Sequence, residues 1–404
     1  MIGVLEPLIV SDVKRQVLRY IFQNRQATRS ELVQASGHVL MSVTTAVSSL
    51  IEDGLLVSDG TVAGGMGRRK NIIKLNPSHK YVLGLDIGFS TTKMGVIMFN
   101  GDVAESKVLL NEKPLTQGMP LEATIEILHG FIRKYGADKF LGIGASISGM
   151  VDVNEGKVLF CPNISGFYNR AFSEELYGIF GLPVFIDTSA RCMAIAEMCF
   201  GVSRGIREQM FISMGYGSIA SGLIINGSIY QGVDGFAGEL GHVRIENPVG
   251  NSGRCTCGNM DCLELYASLT MAIRRIVDEL RVYNGYSITK SLMEGGALSP
   301  EHMVEAYRKG DTIVRENIER VAGYIGSKAA DAVNFTNPGM IILSGGFIWH
   351  LPEMVELIEG AIKSRCLVPI RNKLLVKRSS LNEHAPLQGS AIQLISRYLR
   401  VSFS

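Results

Sequence analysis

The chain has 404 residues, 46% of them hydrophobic and 19% charged, enough for two or three domains with cores of their own. Forty basic residues against 38 acidic ones give a formal net charge of +2, so the overall charge neither demands nor excludes a polyanionic partner. Seven cysteines, an odd number, argue against a disulfide framework and for a reducing compartment; with no apolar run of membrane-span length and no secretory leader, the expectation is a soluble cytoplasmic protein without a membrane role.

The first 80 residues lean basic, with ten Lys and Arg against six Asp and Glu. Val13, Val17, Leu18, Ile21 and Phe22 recur at helical spacing, which predicts a first helix over 13–24. Thr28 and Glu31 have the spacing of a capping box, so a second helix runs to about Ser36 and Gly37 closes it. A third helix is predicted over 42–53, with Val43, Val47, Leu50 and Ile51 inward, Ser42, Thr44, Thr45 and Ser48 outward, and Gly54 ending it. Two short helices joined by a glycine turn, the second with a small polar outer face, have the pattern of a helix-turn-helix whose second helix enters the DNA major groove. Residues 55–57 and 71–75 then form a hairpin around a glycine-rich basic tip with Arg68, Arg69 and Lys70, suited to a phosphate backbone or a minor groove. The prediction for 1–76 is a winged helix-turn-helix that binds a double-stranded DNA operator, with Ser42, Thr44, Thr45, Ser48, Arg68, Arg69 and Lys70 as contact residues. A helical protein-interaction module is the competing reading; the Arg-Arg-Lys tip counts against it.

A linker at 77–80 leads into a chain of different composition, 81–404, rich in short apolar runs and glycine. Strands are predicted at 82–86, 92–98, 141–146, 183–186, 210–213 and 340–343, and helices at 123–135, 174–180, 190–200 and 311–334. In the last helix Val314, Ile318, Val321, Ile325, Ala329 and Ala332 form one apolar stripe. Alternating strands and helices indicate an α/β fold with ligand loops at strand ends, and two such halves would form a cleft.

Within this region Cys255, Cys257 and Cys262 crowd into eight residues, with His242 upstream and Gly258 at a tight turn. Three thiols and an imidazole make a Cys3His inventory, the donor set of a closed structural zinc site, so one Zn2+ per chain is expected in a loop spanning 242–262. A disulfide or a few buried thiols is the weaker reading, because four soft ligands around a glycine turn suit a metal better. The remaining cysteines, Cys161, Cys192, Cys199 and Cys366, read as core residues. Glu239 and Glu264 bracket the ligands and are surplus to a closed zinc shell, which leaves them to accept hydrogen bonds from ligand hydroxyls.

These motifs together resemble the ROK family of sugar-responsive repressors and sugar kinases. Asp86-Ile-Gly88 is similar to its first phosphate loop, residues 147–152 to the turn after its fourth strand, Pro162-Asn163 through Phe167 to a sugar-side loop, residues 238–242 with the cysteines to its zinc signature, and Ser344-Gly-Gly346 to its nucleotide-side turn. The resemblance spans essentially the whole chain, since the repressor branch also carries an N-terminal winged helix. It implies an actin-like, two-lobed domain of ribonuclease H-like halves after the winged helix. It further implies a sugar or polyol effector held by Asn163, Glu239, His242 and Glu264, with Gly149 giving backbone access, and a homodimer or homotetramer.

The kinases of this family carry a carboxylate that takes the proton of the attacking sugar hydroxyl. An ungapped alignment puts Ser189 at that position, and a serine is too weak a base for the task. Asp187, two residues upstream, projects to the same side of an extended chain and is expected to contact the ligand rather than serve as the base. Phe89 stands where the kinases have a second phosphate-loop glycine. The sequence therefore predicts a repressor that senses a sugar without phosphorylating it; the alternative is an active ATP-dependent sugar kinase, glucokinase-like, that also binds DNA.

Overall fold

The computed structural model describes the chain except residues 1, 2, 4, 9, 64–68, 112–120, 162, 163, 165, 247, 249–252, 294–296 and 402–404. Its contacts divide it into two units, one made of residues 1–205, 226–228 and 381–404, the other of residues 206–225 and 229–380. The N-terminal helices belong to the first of these units.

The first unit begins with α1 (Asp12–Asn24), β1 (Gln26–Ala27), α2 (Arg29–Ser36), α3 (Leu40–Glu52), β2 (Leu56–Ala63) and β3 (Arg69–Leu75). The capping box of α2 is complete: the Glu31 amide donates to the Thr28 hydroxyl and the Thr28 amide to the Glu31 carboxylate, at 3.4 and 2.7 Å. Gly37 ends the helix in the left-handed region, φ 69°. Helix α3 starts two residues earlier than the sequence suggests, at Leu40. Val17, Leu18, Ile21, Phe22, Leu32, Val43, Val47 and Leu50 bury a common core. Strand β3 lies between β1 and β2 and pairs antiparallel with both, from Leu56↔Leu75 to Ala63↔Arg69 along the hairpin.

The stretch predicted as a linker is pinned to the lobe after it. The Phe99 amide donates to the Pro77 carbonyl at 3.1 Å, and the His79 ring packs edge-on against Phe99 with centroids 4.8 Å apart. The helical module is held further by Arg25, the residue after α1. Its guanidinium lies 4.7 Å over the Phe200 ring, donates to the Asn100 carbonyl and pairs with Asp102. Phe22 also meets Phe200, and Arg204 donates to the Gln23 carbonyl.

The lobe of this unit contains β4 (Tyr81–Ile87), β5 (Thr91–Met98), β6 (Val103–Leu110), α4 (Leu121–Tyr135), β7 (Phe140–Ile147), β8 (Met150–Asp152), β9 (Lys157–Phe160), α5 (Phe172–Phe180), β10 (Val184–Thr188) and α6 (Ser189–Phe200). The sheet order is β10-β7-β4-β5-β6, with β4, β5 and β6 antiparallel and β4, β7 and β10 parallel. The C-terminal helix (Ala385–Leu399) packs on this sheet so closely that a Cβ on Gly144 would meet the Ser390 backbone at 2.9 Å.

The second unit contains β11 (Gln209–Met214), β12 (Ile219–Ile225), β13 (Ser228–Tyr230), α7 (Glu264–Ala267), α8 (Leu269–Val282), α9 (Ile288–Leu292), α10 (Pro300–Arg308), α11 (Thr312–Thr336), β14 (Met340–Ser344), α12 (Gly346–His350), α13 (Met354–Lys363), α14 (Val368–Arg371) and β15 (Leu375–Arg378). Its sheet order, β13-β12-β11-β14-β15, repeats that of the first lobe: an antiparallel run of the first three strands, then two parallel strands beside the first. Two copies of one α/β topology are what the sequence predicts. The α11 stripe is buried from Val314 to Ala329 and ends on Val333, with Ala332 half-buried beside it.

Candidate functional site

Residues 238–242 pack against β12. Gly238, at φ 95°, and Gly241 admit that approach, since a Cβ on either would meet the Ser221 or Ile219 carbonyl oxygen at 2.7 or 2.0 Å. The Ser221 hydroxyl donates to the Gly238 carbonyl, and the 3-10 turn Leu240–His242 then presents His242. The cysteine segment returns alongside: the Leu263 amide donates to the Val243 carbonyl and the Ile245 amide to the Asp261 carbonyl. A tight turn with Gly258 at φ 96° closes the loop from Cys255 to Asn259.

The result brings His242, Cys255, Cys257 and Cys262 together, with one ligand atom from each lying within 4.8 Å of the others. Cys255 Sγ is 3.7 Å from His242 Nδ1, and the Cys257 and Cys262 sulfurs are 3.6 Å apart. Four such donors can hold a metal ion. All seven cysteines are free thiols, and Cys161, Cys192, Cys199 and Cys366 are buried as expected.

Behind the cluster is a support that sequence reasoning missed. Asp261, buried and at φ 58°, accepts from the Tyr266 hydroxyl at 2.6 Å and the Gly253 amide at 3.0 Å. Burial and that hydrogen bond push the Tyr266 phenol up to about 12, so it stays a donor throughout the working range. An Asp next to a ligand cysteine and five residues before a tyrosine was the available signal.

Glu264 opens α7 beside the cluster. Its Oε1 accepts from the Cys255 thiol at 3.2 Å and lies 3.7 Å from His242 Nδ1. Burial raises the Glu264 carboxyl, opposed by the His242 imidazole. Glu239 is half-buried immediately before the 3-10 turn.

In the first unit, Gly149 is half-buried, and a Cβ there would meet the Phe160 carbonyl oxygen at 2.7 Å, which explains the glycine by backbone approach. Asn163 lies outside the described residues. Asp187 departs from the expectation. Its side chain is fully buried, paired with the Arg191 guanidinium, and accepts from Gln393 Nε2 at 3.1 Å and from the Thr188 amide at 2.7 Å. The reason is local: the extended chain assumed at Asp187 stops at Thr188, whose hydroxyl caps α6, so Ser189 is already helical and the two side chains diverge. Asp187 thus forms a buried ion pair with Arg191 inside the first unit.

Ser189 instead donates to Asp86 Oδ1 at 3.0 Å, and Ser146 donates to the same oxygen at 2.7 Å. Burial raises the Asp86 carboxyl, opposed by nearby Lys93 and then by the two serines. The position where a kinase would need a proton acceptor thus holds a hydroxyl donor bound to a carboxylate that is only 4% exposed. The loop at Gly215 is the turn of the β11–β12 hairpin, closed by the Gly215 amide on the Ser218 carbonyl at 2.9 Å.

On α3, Ser42 and Thr45 are exposed and Thr44 and Ser48 half-buried, on the side opposite Val43, Val47 and Leu50. Arg69 and Lys70 are exposed at the start of β3, and Lys70 Nζ donates to the Ser30 hydroxyl at 3.0 Å. Arg68 lies outside the described residues.

Comparison with known proteins covers both parts of the chain. The xylose repressor of Bacillus spizizenii is 26% identical over 393 residues, covering 96% of each chain. The DNA-binding transcriptional dual regulator NagC of Escherichia coli K12 is 28% identical over 379 residues, covering 93% of this chain and 90% of NagC. Among solved structures, a ROK family transcriptional regulator described as a homolog of the E. coli MLC protein superposes with a TM-score of 0.77 at 25% identity, covering 96% of this chain and 98% of that one. Residues 82–397 match the ROK family description, and the chain belongs to the ROK family.

Proposed function

We propose that this protein is a DNA-binding transcriptional repressor of carbohydrate-utilisation genes, whose ROK domain senses a sugar or polyol and carries out no phosphorylation. The observation that carries this reading is the pairing of an N-terminal three-helix and hairpin module with a ROK domain in which Ser189, bound to buried Asp86, stands where a phosphoryl-transfer base would be needed. Likeness over both parts of the chain to a named xylose repressor and a named DNA-binding transcriptional dual regulator supports it.

The Cys3His cluster is read as a structural zinc site. Tetrahedral zinc with bonds of about 2.3 Å to sulfur sets its sulfurs about 3.8 Å apart, close to the spacing of Cys257 and Cys262. Zinc held by four protein ligands supplies rigidity rather than a reactive water. The chain's own residues then do the recognising: Glu239, Glu264 and the second nitrogen of His242 face the effector's hydroxyls from one stiff loop, where a carboxylate accepts from two neighbouring hydroxyls at once. Operator recognition falls to Ser42, Thr44, Thr45 and Ser48, with Arg68, Arg69 and Lys70 on the backbone. The working form is a homodimer or homotetramer in the cytoplasm, since one recognition helix per chain reads only half a palindrome.

Operator-fragment binding measured across a panel of monosaccharides and polyols tests the proposal. At least one sugar that raises the thermal midpoint of the protein changes its operator affinity several-fold, consistent with coupling free energies of about 1–3 kcal/mol. Operator affinity indifferent to every sugar that binds would sink the sensor reading, and ATP-dependent turnover of such a sugar would replace it with a kinase.

A further inference from the structure

The first turn of α3 departs from the chemistry of its neighbours. Helix α1 opens on Ser11, whose hydroxyl accepts from the Lys14 amide, and α2 opens on a full capping box. Helix α3 opens on Val39, an extended residue whose side chain makes no capping hydrogen bond. Val39, Leu40 and Met41 are 70%, 61% and 79% exposed, while the packing of α3 is done by Val43, Ala46, Val47 and Leu50. Neither helix stability nor the core accounts for three successive exposed apolar side chains here.

Their place in the fold says what covers them. They begin the second helix of the helix-turn-helix, and in that motif the N-terminal residues of this helix face base edges. Ser42 and Thr45 follow on the exposed side, and Arg69 and Lys70 are exposed on the hairpin. That cationic, small-polar setting favours a polyanion over an apolar protein surface. A major groove offers one apolar feature at its base edges, the C5-methyl group of thymine. Resting on the DNA-binding reading above, we propose that Leu40 and Met41, assisted by Val39, read thymine methyl groups, so that each half-site of the operator carries A·T pairs facing the first turn of α3. Leu40 and Met41 diverge by about 100° around the helix, which places their methyl groups on different base pairs. Ser42 and Thr45 supply the adaptable polar contacts further along.

The test starts from duplexes selected from a random library by the full-length protein. Each thymidine of the enriched duplex is then replaced by deoxyuridine, which removes only the C5-methyl, and binding is measured at fixed salt. One or two replacements per half-site weaken binding about fourfold each, the loss expected for one methyl group returned to water. In Leu40→Ala or Met41→Ala the sensitivity disappears at one position and stays at the other, and the salt slope is unchanged because no phosphate contact is lost. Alanine is a strong helix former and these side chains are exposed, so the variants keep the fold, checked by their circular dichroism. Deoxyuridine without effect at every position overturns the proposal, as does sensitivity that survives in Val39→Ala, Leu40→Ala and Met41→Ala alike. A change in oligomeric state on Leu40→Ala with no loss of methyl sensitivity also overturns it and assigns the patch to a second protein chain. A library that yields no enriched duplex refutes the DNA-binding reading itself.

Discussion

Asp86 is the residue on which the distinction between chemistry and sensing turns. A buried carboxylate that accepts two hydroxyl hydrogen bonds on one oxygen is a structural node, and its charge is opposed by burial. The sign of its effect on stability comes from the raised folded-state value. In the unfolded chain Asp86 loses its proton at about pH 4, whereas the folded protein holds it to higher pH, so folding loses stability as pH rises across that interval. Replacing Asp86 by Asn removes this titration. The stability of Asp86→Asn relative to the natural protein therefore grows as pH rises from about 4 towards neutrality, and thermal midpoints of the two proteins measured at paired pH values check it. A difference that stays flat over that range would remove Asp86 from the buried network.

At the scale of elements, the Cys3His cluster is held by the 3-10 turn, the Cys255–Asn259 turn and the Asp261–Tyr266 latch. Elemental analysis of protein purified without chelator is expected to give one zinc per chain. Cys257→Ser, at the more accessible of the thiols, lowers that ratio and weakens sugar binding at least tenfold, because Glu239 and Glu264 lose their common scaffold. Much of this loop was legible because its ligands and its glycine turn are close in sequence. The capping box of α2 was legible for the same reason. The Asp187 pairing was not, since of its side-chain partners Gln393 lies 206 residues away and Arg191 becomes a partner only once α6 begins at Ser189. The start of α3 was misplaced because Val39 carries none of the polar signals that mark a helix start; Ser42, a good cap, sits inside the helix.

For the molecule as a whole, the repeated sheet order gives two similar frames, and only the first carries the DNA-reading module. That module is docked by Arg25 and Phe200 rather than hung on a free tether. Arg25→Ala removes the stacked guanidinium and both polar contacts. Its effect is expected on the tolerance of operator spacing: the variant binds duplexes with one base pair added or removed between half-sites nearly as well as the original, whereas the natural protein discriminates about tenfold or more. Binding to duplexes of graded spacing measures this, and equal discrimination by the two proteins would exclude the joint from setting half-site geometry.

Helix α6 gives that joint its reach. It begins at Ser189, bonded to Asp86 in the floor of the first sheet, and ends at Phe200 beneath Arg25, a rod of about 18 Å at 1.5 Å per residue. Pivoting such a rod by about 5° displaces its far end by about 1.6 Å, comparable to the 1–2 Å helix shifts through which subunit interfaces switch. A tilt of that size, too small to disturb the sheet, would be large enough to shift a side chain relative to a base edge. Any tilt of α6 at its polar end would therefore be felt at the Arg25 joint rather than in the sheet.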